Sequence, residues 1–318
     1  MTGNGSRIEA TLRAAVNDGR VPGVGLIVRK DGVDLHRSAH GDQQPDTPKL
    51  LASATKLASA TAIMALVDEG LIGLDEPVRT YLPEFSDEKG GLTMRHLLAQ
   101  THGLPFGHPS IPHPQQDNGM TLATSVAAIA ADVQLEVPIG SRFRYQPAAA
   151  YHMAGRVAEV AADQPWADLF AARVTKPLRM DDTSYGETRN PRIGGGAAST
   201  LDDYANLLQM HLDDGVFEGE RVLSQASVRE MRRNQVGTFA VTGSPAKPEV
   251  GYGLTWWFDK LADGVPVQFS VGGGFGAIPW INEPRAYVAF LLVQKRLSDA
   301  VPIYDAILAD VDALVAAG

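Results

Sequence analysis

Apolar residues follow two different periods along this chain of 318 residues. Near both ends of the chain they form short runs bounded by glycine, asparagine or proline, which is typical of β-strands joined by tight turns. In the middle they recur every three or four positions between prolines and glycines, which is typical of helices. The pattern therefore predicts strands at the two ends of the chain and helices between them.

The predicted strands form hairpins. The first two, at residues 24–28 and 33–39, are separated by the turn signal Asp31-Gly32. The later strands are expected at residues 253–258, 265–271, 276–281 and 286–294. Connections this short cannot hold a parallel crossover, so the sheet is predicted to be antiparallel.

Helices predicted at residues 8–16 and 301–316 carry an apolar stripe that suits one face of this sheet. The central helices are expected at residues 93–100, 121–132, 148–162, 166–174, 200–213 and 224–233. The fold class is therefore α+β: an antiparallel sheet flanked by N- and C-terminal helices, with an inserted and mostly helical lobe. The expected division is an α/β lobe at 1–75 plus 246–318 and a helical lobe at 76–245, with the active site in the cleft between them.

Composition removes several functional classes. Hydrophobic residues make up 44% and charged residues 20%, which is ordinary for a soluble globular protein. The net charge of −9 and the lack of a basic cluster argue against nucleic acid and membrane surfaces as partners. Without cysteine there is no disulfide, thiolate zinc site or cysteine nucleophile. No signal peptide or membrane-length apolar window is visible, so a cytoplasmic location is expected. The oligomeric state stays open.

One Ser-x-x-Lys string stands out among three. Ser53-Ala54-Thr55-Lys56 is followed by a helical pattern of apolar residues, whereas Ser86–Lys89 and Ser244–Lys247 lie among turn-forming residues. On a helix, positions three apart share a face, so the Lys56 amine is expected beside the Ser53 hydroxyl. The two groups are the minimum for a serine nucleophile that needs no histidine.

The chemistry needs supporting groups. The helix N-terminus supplies the Ser53 N–H as one oxyanion donor, and Gly272-Gly273-Gly274 at a strand end is a suitable source of a second. Lys56 can accept a proton only if burial lowers its pKa. Tyr145, in a loop before a predicted helix, is the candidate for a nearby phenolate or proton relay.

These motifs, in this order, resemble the serine β-lactamase and penicillin-binding-protein superfamily, especially its class C branch and the family VIII carboxylesterases. Ala52 to Leu71 matches the first motif and its helix. His102 stands where the family usually has serine. The remaining matches follow in order at residues 74–78, 81–85, 96–98, 103–105, 140–145, 194–204 and 252–254.

The resemblance implies a role for each matched residue. Ser53 is the acylated nucleophile, Lys56 accepts or relays its proton, and Tyr145 activates Ser53 and later the deacylating water. The N–H groups of Ser53 and Gly274 form the oxyanion hole. The substrate-binding residues are Val271, Gly272, Gly273 and Phe275. The resemblance implies no cofactor and no metal, and the irregularly spaced His102, His108 and His113 lack the usual ligand geometry.

Two departures from the family pattern narrow the function. The second motif reads Tyr145-Gln146-Pro147 instead of Tyr-x-Asn, and Val271 replaces the cation of the third motif, which in lactamases holds the substrate carboxylate. Both departures favour a carboxylesterase whose substrate, its one expected partner, is a small uncharged ester. Two alternatives stay open: a β-lactamase or D-amino-acid peptidase or amidase, and a non-catalytic homologue that binds ligands in the same cleft.

Overall fold

The computed structural model describes residues 3–113, 116, 118–145, 149–239 and 251–318. The strands are β1 Gly23–Lys30, β2 Val33–Gly41, β3 Lys49–Leu50, β4 Ala198–Ser199, β5 Val216–Phe217, β6 Glu220–Arg221, β7 Trp257–Ala262, β8 Val265–Ser270, β9 Ala277–Asn282 and β10 Tyr287–Leu292. The helices are α1 Gly3–Asn17, α2 Thr55–Asp68, α3 Met94–Leu98, α4 Leu122–Asp132, α5 Ala149–Ala162, α6 Trp166–Phe170, α7 Leu201–Leu212, α8 Gln225–Arg232 and α9 Leu297–Ala317.

The largest sheet of the described residues has six strands in the order β2-β1-β10-β9-β8-β7. Every pair in it is antiparallel. The order brings the N-terminal hairpin against the last strand of the chain, so the two ends of the sequence build one sheet. The predicted α+β class, with an antiparallel sheet and terminal helices, is confirmed.

Both faces of the sheet are covered. The side chains of β10 alternate, with Tyr287 and Leu291 in one apolar cluster and Val288 and Phe290 in another. Helices α1 and α9 pack on each other over the first face, and α7 packs on the opposite face against β10 and β1. Because a strand residue and its neighbour point to opposite faces, a run of apolar residues in β10 serves both layers.

One predicted strand was misplaced. The expected strand at 253–258 is instead β7, which begins at Trp257. The Gly253 N–H donates to the Trp256 carbonyl, and the Leu254 N–H donates to the Met231 carbonyl at 2.9 Å, next to the end of α8. Thr255 adopts a left-handed φ of +79°. These turn contacts to α8 prevent an earlier start of the strand.

The last helix is longer than the sequence predicts. It begins at Leu297 instead of residue 301 and contains Pro302 in its interior. Leu297 and Ala300 are buried in the apolar cluster under the sheet. Their packing keeps the residues before Pro302 helical, although proline is most favourable in the first turn of a helix. The Leu297 N–H also donates to the Gly274 carbonyl at 3.1 Å, which ties this helix to the glycine-rich strand end.

The main apolar core draws on all parts of the chain. It includes Ile27 near the N-terminus, Val126 and Tyr151 from the central helices, and Phe290 near the C-terminus. The division into an α/β lobe and a helical lobe stays a prediction. Along the described part of the chain, no helix combines the length and apolar character needed to cross a membrane.

Candidate active site

Ser53 lies in a 3-10 turn, Ala52–Ala54, immediately before α2. Two contacts from a distant segment hold this turn. The Leu51 N–H donates to the Ala197 carbonyl at 2.9 Å, and the Tyr204 hydroxyl of α7 donates to the last carbonyl of the turn at 2.7 Å. The position of Ser53 is therefore fixed by tertiary hydrogen bonds as well as by the start of α2.

The turn is also strained and crowded. Ala52, directly before Ser53, has a φ of +45°, which residues with a side chain seldom adopt. On the other side lies Gly273, where any side chain would overlap the Leu51 carbonyl oxygen. The glycine-rich strand end can approach the nucleophile this closely only because it carries no side chain.

Lys56 is fully buried on the first turn of α2. Its Nζ donates to the Gly194 carbonyl at 2.8 Å and faces the rings of Tyr145 and Tyr151, with centroids 5.1 and 5.2 Å away. None of the described carboxylates forms an ion pair with it. Burial lowers the pKa of Lys56 well below its ordinary value, and the positive charge of Arg192 lowers it further.

The environment of Lys56 favours a neutral amine. Two ring faces attract an ammonium by about 1–2 kcal/mol each, but burying a charge without a counter-ion costs several kcal/mol. A neutral amine at neutral pH can accept the proton of a serine hydroxyl. Lys56 therefore meets the condition that the sequence set for it as a base.

The pH dependence of activity should follow Lys56. Because burial and the charge of Arg192 lower its pKa, more of the amine is neutral at a given pH than in water, and the neutral form is lost as the pH falls through that pKa. We expect kcat/KM for a neutral ester to decline toward acid by about tenfold per pH unit at the low end of a profile from about pH 5 to about pH 9. Rates measured with Ser53→Ala supply the background. A decline toward alkaline pH within that range, with a flat acid side, would contradict a neutral Lys56 as the base.

Tyr145 also lies beside Lys56, in a loop. Its ring packs on Trp257 at 5.0 Å and on Tyr252 at 6.3 Å between centroids. Its hydroxyl is buried without a regular hydrogen bond to any described residue. Burial raises the pKa of Tyr145 to about 12, although the nearby Ser53 hydroxyl opposes the shift. Tyr145 therefore stays protonated at neutral pH, which suits a proton relay and not a phenolate base.

The other residues of the second motif, Gln146 and Pro147, lie outside the described residues. The effect of a proline where the family has asparagine thus stays a sequence-based question. Tyr151, in the first turn of α5, does lie beside Lys56, and its buried hydroxyl faces Thr255. Sequence reasoning missed it, since a tyrosine in a helical apolar pattern indicates only a core position.

The residues of the glycine-rich strand end differ in their exposure to solvent. Gly274 and Phe275 are exposed, and a side chain at Gly274 would lie 3.9 Å from the Ala52 side chain. Among the described residues, no backbone carbonyl accepts from the Gly274 N–H, so this group is available to an oxyanion near Ser53. Gly272, by contrast, is buried.

Val271 does not reach the cleft. Its side chain is buried in the main apolar core, and its N–H donates to the Pro279 carbonyl at 3.3 Å. The structure thus separates it from Phe275, with which the sequence grouped it as substrate-binding. The reason is the alternation of side chains along β8 and its continuation, which turns this position inward.

Ser53 opens into a small cavity of about 180 Å³. The residues that line it are Ala52, Ser53, His113, Arg192, Gly194, Gly195 and Phe275. Larger cavities of about 380 and 460 Å³ lie along Glu159 and Pro165 and contain none of the predicted catalytic residues. The chemistry therefore assigns the smaller cavity as the candidate site.

Arg192 was not predicted as a site residue. It directly precedes Ile193 and the Gly194-Gly195-Gly196 run, so its position beside a matched motif was the only available signal. Its place in the cleft depends on how residues 192–195 pack against the Ser53 turn, which no local pattern reveals.

The histidines have structural contacts. Nδ1 of His102 accepts a hydrogen bond from the Leu104 N–H at 3.0 Å, and burial lowers the pKa of His102 to about 3. It is therefore neutral and braces its own loop. Within the described residues, no cluster of three or more His, Asp or Glu side chains could hold a metal ion.

The chain is similar to known proteins over most of its length. The family model described as Beta-lactamase matches residues 8–313. Penicillin-binding protein 4 of Amycolatopsis lactamdurans is 30% identical over 304 residues, covering 82% of this chain and 77% of that protein. A crystal structure of a candidate beta-lactamase from Bacteroides dorei DSM 17855 is similar, with a TM-score of 0.86, 28% identity, and coverage of 96% and 98%. EstCE1, a hydrolase with promiscuous acyltransferase activity, has the same fold, with a TM-score of 0.81, 20% identity, and coverage of 97% and 98%.

Proposed function

Because this chain belongs to the beta-lactamase family, we propose that it is a serine hydrolase that forms an acyl-enzyme on Ser53, and more specifically a carboxylesterase for small esters. The observation that carries the proposal is Lys56, a fully buried amine without a carboxylate partner among the described residues, three positions after Ser53. Such an amine is costly for folding and useful for deprotonating a hydroxyl.

The acylation step uses the groups around the cleft. Oγ of Ser53 attacks the ester carbonyl carbon, and its proton passes to Nζ of Lys56, directly or through the Tyr145 hydroxyl. The N–H groups of Ser53 and Gly274 stabilise the negative oxygen of the tetrahedral intermediate. The C–O bond to the alcohol then breaks, and the alcohol leaves with the proton held by Lys56.

Deacylation repeats these steps with water. A water molecule gives its proton to Lys56 through Tyr145 and attacks the acyl carbon. The bond to Oγ of Ser53 breaks, and that oxygen recovers the proton. The acid product leaves the cleft, and no other reactant is needed.

Two features support an esterase over a β-lactamase or amidase. Val271, which stands where lactamases have a cation, is buried in the core. The cavity of about 180 Å³ is also smaller than the roughly 300–1,000 Å³ typical of sites for drug-sized ligands. The buried valine leaves that motif without its cation, and the small cavity suits a short acyl group better than a bicyclic lactam with a large side chain.

The proposal is tested with a panel of 4-nitrophenyl esters of increasing acyl length, beside nitrocefin and a D-amino-acid amide. We expect kcat/KM to be highest for short acyl groups and to exceed that for nitrocefin by about a hundredfold or more. Efficient nitrocefin or amide hydrolysis would favour the second functional class instead. Turnover of no substrate in the panel, with no labelling of Ser53, would favour a non-catalytic ligand-binding protein.

A further inference from the structure

Arg192 places a cation beside the nucleophile. The side chain is half-buried and lines the cavity that contains Ser53. A side chain at Gly195 would lie 3.6 Å from Nε of Arg192 and 3.8 Å from the Ala52 carbonyl carbon. The guanidinium therefore lies one glycine away from the turn that carries Ser53.

The charge of Arg192 lacks a counter-ion among the described residues. Its one hydrogen bond there runs from Nη1 to the Pro112 carbonyl and is long, at 3.4 Å. A guanidinium has five N–H donors in a planar fork, so most of its donors remain available. Burial lowers the pKa of Arg192, and none of the described acidic residues opposes that shift.

Other partly buried arginines of this protein are paired. Arg95 forms an ion pair with Glu230, and Arg232 forms one with Glu283. Removing an arginine from water without a partner costs free energy. An unpaired arginine in a cleft beside a nucleophile is therefore suited to a ligand that brings the missing negative charge.

We propose that Arg192 binds a carboxylate on the substrate, so that the preferred substrates are short esters that carry a carboxylate. This inference rests on the proposed function, since it concerns the same cleft. It replaces the expectation that the preferred esters are uncharged, which followed from the altered second motif and from Val271. The planar fork of arginine matches a carboxylate with two parallel hydrogen bonds, and neutral esters remain slower substrates.

The carboxylate can lie on either part of the ester, and two pairs of substrates separate these cases. The first pair is the 4-nitrophenyl monoester of glutaric acid and 4-nitrophenyl pentanoate, which differ in charge on the acyl part. The second is 3-carboxyphenyl butyrate and phenyl butyrate, which differ in charge on the leaving group. Rates with Ser53→Ala are subtracted, because the glutaric monoester also hydrolyses spontaneously.

The measured quantity is the ratio of kcat/KM for the charged ester to that for the neutral ester. We expect wild type to prefer the charged member of at least one pair by about tenfold or more, and Arg192→Gln to reduce that preference by a similar factor. Arg192→Lys should keep part of it. An influence of Arg192 on Lys56 affects both members equally and cancels in the ratio.

Arg189→Gln is the matched control, because Arg189 is exposed and lines the separate cavity near Trp166. Its ratio should equal that of wild type. A Ser53-dependent turnover with a ratio near one, unchanged in Arg192→Gln, would overturn this inference and leave the esterase proposal in place. A lack of Ser53-dependent turnover for all four esters would overturn both.

Discussion

Replacing Ser53 with alanine is expected to remove enzymatic ester hydrolysis, lowering kcat/KM by at least about 10⁴-fold. Among the described residues that line the cavity, Ser53 carries the one hydroxyl, and the nearby Tyr145 hydroxyl stays protonated because burial raises its pKa, so the variant lacks its nucleophile. The oxyanion donors and the binding contacts remain, and they leave only a small residual rate. Steady-state kinetics with a short 4-nitrophenyl ester measure the loss.

A second serine of the same motif type supplies the control. Ser86 is exposed and begins the string Ser86–Lys89, outside the cleft. Ser86→Ala should keep wild-type activity, and both variants should keep the wild-type melting temperature to within about 2 °C, since neither changes the core. Retention of more than about a tenth of the activity in Ser53→Ala would contradict its role as nucleophile.

Replacing Lys56 with methionine is expected to lower kcat/KM by about 10³-fold or more, while the stability of the fold holds or rises. Methionine has a similar length but cannot accept a proton, so the base for Ser53 is lost. The substitution also removes a buried amine whose one hydrogen bond within the described residues is to the Gly194 carbonyl. Removing its desolvation penalty offsets the loss of that bond. Parallel measurement of kinetics and of urea unfolding separates the two effects.

Lys89 is the matched control for this substitution, because it is also buried but pairs with Asp87 outside the cleft. Lys89→Met should keep activity close to wild type. If Lys56→Met lost stability and activity together, with a normal rate in its remaining folded fraction, Lys56 would be a structural residue and not the base.

Local sequence signals were sufficient for much of the fold. Thr121 and Ser224 were predicted at helix starts, and each accepts a hydrogen bond from a backbone N–H of the first helical turn. Such caps depend on a few adjacent residues. The start of β7 was not predictable in the same way, because it depends on contacts with Met231 in α8.

For the candidate site, too, the sequence predicts what local signals determine and misses contacts between distant segments. Ser53 and Lys56 could be found because the signal consists of two residues three positions apart at the start of one helical segment. The place of Arg192 in the cavity and the contact between Lys56 and Gly194 could not be found in this way, because Lys56 and Gly194 lie 138 positions apart in the sequence. The substitution at Val271 indicated that one cation was lost. It gave no indication that another segment brings a different cation to the same cavity.

The most direct test of the account is mass spectrometry of the protein quenched during turnover of a short 4-nitrophenyl ester, followed by peptide mapping. We expect one acyl group per chain on the peptide that contains Ser53, no such adduct in Ser53→Ala, and slow formation of it in Lys56→Met. Rapid ester turnover without an acyl group on Ser53, or with the acyl group on another residue, would contradict an acyl-enzyme on Ser53.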